Sequence, residues 1–91
     1  MTPDERECIE FLRNHNTPES DLVGWVDCAG TLLLVEAVPE LTKLLLNERY
    51  SFATREHTAR TIRILGSLDV SKLRINATPE LNRLLDIVDR G

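Results

Sequence analysis

Apolar residues recur along this chain at steps of three and four with charged residues between them, and no useful stretch alternates apolar with polar at every second position. That spacing predicts helices and argues against sheet. Three Thr-Pro pairs mark starts: Thr2-Pro3, Thr17-Pro18 and Thr78-Pro79. Each offers a hydroxyl cap, then a proline where the missing N–H costs nothing, then acidic residues where the helix dipole favours them. Val38-Pro39-Glu40 is the same device without the hydroxyl. The pattern predicts helices at about 3–14, 18–29, 31–37, 39–47, 54–68, 70–75 and 79–90. Gly30 and Gly91 read as C-terminal stops, and 14–16 and 47–51 as loops.

The run Val38-Pro39-Glu40-Leu41-Thr42-Lys43-Leu44-Leu45 returns 40 residues later as Thr78-Pro79-Glu80-Leu81-Asn82-Arg83-Leu84-Leu85. At the same offset Leu22 pairs with Ile62, Trp25 with Leu65, Cys28 with Leu68, Leu33 with Leu73, Val35 with Ile75 and Ala37 with Ala77. A short chain that repeats at this period is expected to be built of stacked helical units, each too small to fold alone. Such stacks act through surfaces.

The segment Ala37-Val38-Pro39-Glu40-Leu41-Thr42-Lys43-Leu44-Leu45, followed by a loop and then residues 56–68, resembles one armadillo repeat, with related HEAT-type stacks as neighbours in pattern. Residues 32–37 resemble that family's short first helix, and the likeness covers about residues 17–90. The resemblance implies an all-α, short right-handed solenoid of about two repeats: a partial unit at 3–29, a full unit at 31–68 and a partial unit at 70–90. A compact helical bundle is the alternative architecture. Two departures matter. Glu36 and Asn76 stand where armadillo units often have glycine, and Arg60 and Ile64 fall where nuclear-import receptors carry the Trp and Asn that grip a basic peptide. Recognition of that import-signal kind is therefore not expected. The last unit lacks a third helix, which fits a piece of a longer solenoid, a self-contained small variant, or an end helix whose exposed apolar face docks on a second copy.

Composition narrows the class. Ninety-one residues make one domain, 42% hydrophobic and 29% charged, with four aromatic residues. The formal net charge is −4 and the sequence pI about 5.1. That balance argues against a nucleic-acid binder, whose affinity rests on neutralising phosphates. Met1-Thr2-Pro3-Asp4-Glu5 does not read as a secretory leader, and the apolar run at 32–35 is far too short to span a bilayer. Two cysteines make no disulfide framework, so the compartment is read as reducing, cytoplasmic or nuclear.

On the 54–68 helix, rotation by about 100° per residue separates two sides. Thr58, Ala59, Ile62, Leu65 and Gly66 share the core side; Glu56, Arg60, Arg63 and Ser67 form a polar stripe flanked by Ile64. The armadillo resemblance places that stripe in the ligand groove, so Glu56, Arg60, Arg63, Ile64 and Ser67 are the candidate partner-binding residues. The alternative is a solvated face steadied by a Glu56–Arg60 pair. Arg49 and Tyr50 join the candidates because exposed Tyr and Arg favour binding hot spots, although aromatics near a loop also close over a core. Trp25 and Phe11 read as core.

Other chemistry is poorly supported. Cys8, His15, Cys28 and His57 show no close metal-ligand spacing, a Cys28–His57 nucleophile pair has no local motif, and the glycines form no phosphate loop. Asp86 and Asp89 read as solvated carboxylates near a helix end. Residues 54–75 could be drawn as helix-turn-helix, but the second helix is too short to read a groove. The expectation is a non-enzymatic module, without cofactor or metal, that binds a partner protein or peptide through a helical groove. The alternative is a small acidic inhibitor or immunity-type protein that blocks an enzyme or a nucleic-acid-binding site.

Overall fold

Thr2 opens the first helix by a reciprocal pair of bonds: its hydroxyl accepts from the Glu5 N–H at 3.2 Å, and the Glu5 carboxylate accepts from the Thr2 N–H at 2.9 Å. In the computed structural model, which describes residues 1–90, this is α1, Pro3–Arg13. It is followed by α2 (Glu19–Thr31), a 3-10 turn (Val35–Ala37), α3 (Val38–Leu46), α4 (Phe52–Leu65) and α5 (Pro79–Arg90). The described residues contain no strand. The molecule measures 37 × 24 × 18 Å.

The helix α4 is central, packing against α2, α3 and α5, while α1 lies on α2 and, less extensively, α3. One apolar cluster results, with Leu22, Val26, Leu34, Leu41, Leu45, Ile62, Leu84 and Leu85 fully buried. The two Pro-Glu-Leu segments do open equivalent helices and bury equivalent leucines, Leu44-Leu45 in α3 and Leu84-Leu85 in α5. They rest on α4 and form no principal interface with one another, so the two Pro-Glu-Leu helices do not stack side by side as the expected repeat units would.

Local chemistry moved several boundaries. Thr17 does not cap α2; its hydroxyl donates to the Phe11 carbonyl at 2.9 Å and ties the loop back to α1. Gly30 does not stop α2. It lies inside the helix, where a Cβ would sit 3.4 Å from Thr61 Cγ2, so its smallness serves close packing. The left-handed residue comes later, at Leu33 with φ 51°, and breaks the 31–37 segment into a turn. Ser51 moves the start of α4 to Phe52 by accepting from the Thr54 N–H, and Gly66, exposed at φ 73°, ends it at Leu65. Residues 70–75 form hydrogen-bonded turns rather than a helix, with the Leu73 and Arg74 N–H groups both donating to the Val70 carbonyl. Leu33, Val35 and Ile75, paired by the 40-residue offset, are 66%, 45% and 77% exposed and are not core partners.

The end helix is not bare. Arg74 reaches from the 66–78 connection to Asn82, Asp86 and Asp89 of α5, at 3.3, 2.9 and 3.2 Å. Leu68, Leu73 and Ala77 of the same connection pack against the core beside Leu81, Ile87 and Val88, which are half-buried.

Candidate functional site

The parallel pairing of α2 with α4 organises the surface. At their N-terminal ends the Glu19 carboxylate accepts from the Ser51 and Thr54 hydroxyls, both at 2.6 Å, and from the Ser51 N–H at 3.2 Å. Those bonds favour the charged form and hold the Glu19 pKa below its ordinary value. Midway, His57 Nε2 meets Asp27 Oδ1 at 2.5 Å, and further on Gly30 admits Thr61.

This register leaves one side of α4 outward. Arg60 and Arg63 are exposed, Ile64 is 62% exposed and Glu56 is half-buried. Glu56 pairs with Arg60 at 3.5 Å, whereas Arg63 has no ion-pair partner among the described residues. The strip therefore offers a free guanidinium beside an exposed aliphatic side chain. Leu33, 66% exposed in the left-handed turn that follows α2, is a further exposed aliphatic side chain.

Not every candidate joins it. Ser67 is exposed but lies beyond the Gly66 turn, off the helix. Tyr50 and Arg49 precede α4, about 20 Å from its far end at 1.5 Å per residue. Tyr50 is only 9% exposed, with the Arg49 guanidinium 5.9 Å from its ring centroid. It lines a cavity of about 50 Å³ together with Leu12, Glu40 and Leu44. Its place is in the core wall, and the seven candidates do not form one site.

Four features escaped sequence reasoning. The Asp27–His57 contact and the Glu19 bonds needed the α2–α4 register, which no local motif encodes. Leu33 was hidden because an apolar run reads as buried. Trp25, expected in the core, is half-exposed and stacks on Phe11 with ring centroids 4.4 Å apart and planes 6° from parallel.

The metal and nucleophile candidates are not gathered. Cys28 lies on the α1 side of α2, where its thiol neighbours Cys8, while His57 meets Asp27 on the α4 side. No three His, Cys, Asp or Glu side chains converge among the described residues. Cys8 is fully buried, its thiol donating to the Trp25 carbonyl at 3.4 Å. Burial, and secondarily Cys28, push its pKa up to about 12. No described helix is long and apolar enough to cross a membrane. No protein-family model, curated protein or solved structure matches this chain.

Proposed function

We propose that the chain is a protein-binding module whose outward α2–α4 side receives an acidic, partly apolar segment of a partner protein. The observation that carries this reading is the juxtaposition of unpaired Arg63 with Ile64, 62% exposed, on the helix that forms the centre of the fold. A side chain exposed to that extent contributes little to the core, and beside a free guanidinium it makes a mixed apolar and cationic contact. Rim charges of this kind act chiefly on selectivity and association rate.

Affinity capture from native lysate tests the reading. The wild-type chain should recover partner proteins that Arg60→Glu with Arg63→Glu loses and Arg49→Glu retains, because Arg49 lies apart from the strip. Capture that is unaffected by the double reversal removes the groove assignment.

A further inference from the structure

On the other flank of α2, away from α4, an open trough of about 590 Å³ is lined by Phe11, Ser20, Asp21, Gly24, Trp25 and Cys28. Its wall is the stacked Phe11–Trp25 pair, with Phe11 38% exposed. Its charge is of one sign. Asp21 is exposed and pairs with no Lys or Arg among the described residues, and no basic side chain lines the trough. Helical rotation sets exposed Asp4 and Glu7 on the same side of α1 as Phe11.

Gly24 is the second clue. It sits in the middle of α2, and a Cβ built there meets nothing within 4 Å. Mid-helix glycine is unfavourable relative to alanine, and here no packing inside the chain requires it. What the missing side chain does is keep the trough floor open.

We infer that this trough takes an arginine side chain of a partner protein, with the guanidinium lying against the Phe11–Trp25 pair and hydrogen-bonding the Asp21 carboxylate. Arginine fits better than lysine. Its planar, weakly hydrated head stacks on aromatic faces and can pair with a carboxylate through two N–H groups at once, whereas an ammonium is compact and holds its water. The site is distinct from the Arg60–Ile64 strip and calls for the opposite charge on the partner.

Trp25 is the only tryptophan, so its emission reports on the trough directly. The probes are acetylated, amidated peptides of alternating glycine with arginine, lysine or uncharged citrulline, titrated at low salt. The arginine peptide should change Trp25 emission saturably, the lysine peptide should bind about fivefold or more weakly, and the citrulline peptide should give no saturable change. Asp21→Asn, and Gly24→Leu with its added side chain, should each weaken the arginine response by about fivefold or more, with helical circular dichroism retained. Glu36→Gln, elsewhere on the surface, should leave it unchanged. No saturable change, equal response to arginine and lysine, or equal weakening by Glu36→Gln and Asp21→Asn would overturn the assignment. So would a peptide-free shift of Trp25 emission with protein concentration accompanied by dimer in sedimentation, which would give the trough to a second copy.

Discussion

Arg55 donates from Nη1 to Glu80 Oε1 at 2.8 Å, joining the first turn of α4 to the first turn of α5. The arginine is 3% exposed, and its Nε donates to the Leu45 carbonyl at 2.9 Å, one of the groups that the end of α3 leaves without a helical partner. A single guanidinium thus fastens three helices. Arg55→Met should lower stability by about 2–3 kcal/mol, because it leaves the Leu45 carbonyl unsatisfied and removes the ionic tie from α4 to Glu80. Glu80→Gln should cost about 0.5–1.5 kcal/mol, since that side chain is half-exposed and water replaces part of the lost bond. In urea unfolding the double variant should lose less than the sum of the two. Additive losses would show the pair to be uncoupled.

The three internal glycines should respond differently to alanine. At Gly24 a methyl group meets open space, so Gly24→Ala should stabilise the chain by about 0.5–1 kcal/mol. At Gly30 the Thr61 methyl stands 3.4 Å from the new Cβ, so the helix gain should be offset and the net change should stay near zero or turn unfavourable. At Gly66, φ of 73° makes alanine strained, and a loss of about 1 kcal/mol is expected. Thermal unfolding of the three variants checks the order; equal effects would contradict the backbone assignments.

Acid should weaken the α2–α4 junction. The Ser51 and Thr54 hydroxyls favour charged Glu19, so its pKa in the folded chain lies below the 4.5 of the free group. The stabilisation it supplies is complete well above 4.5 and is lost as pH falls through the folded value. The difference in Tm between wild type and Glu19→Gln should therefore be steady at neutral pH and narrow below about 4.5. A difference that widens on acidification would reverse the sign of the argument.

The two thiols should differ in reactivity. Cys8 is buried and its pKa is pushed up to about 12, so it holds almost no thiolate at neutral pH, while Cys28 opens onto the trough. Ellman's reagent should label one thiol per native chain and two in denaturant. Cys28→Ser should abolish the native reaction. Two equivalents reacting natively at the same rate would place Cys8 at the surface.

Much of the helical framework was written in short-range signals. Thr2 and Thr78 cap as their spacing requires, Pro39 and Pro79 sit at helix starts, and Leu44, Leu45, Leu84 and Leu85 are buried as their three- and four-residue steps demand. What failed depended on partners outside the pattern of the helix concerned. Thr17 had a nearby carbonyl to bond and left its capping role, and Gly30 was kept small by Thr61, 31 residues away. Trp25 could not reveal that Phe11 would cover only one of its faces. The surface strip was half legible. Helical rotation put Arg60, Arg63 and Ile64 together; Gly66 was the local stop signal that carries Ser67 off the helix, but nothing local told that Tyr50 would be drawn inward.

Because α2, α3 and α5 all rest on α4, a cut ahead of that helix divides the interior between the two pieces. A nick in the loop before Phe52 would separate α2 and α3, with α1 lying on them, from the α4 surface on which both rest. The pieces would have to find each other again or stay unstructured. Amides in the middle of α4 should accordingly be the last to exchange with deuterium, and they should open only when the whole molecule does.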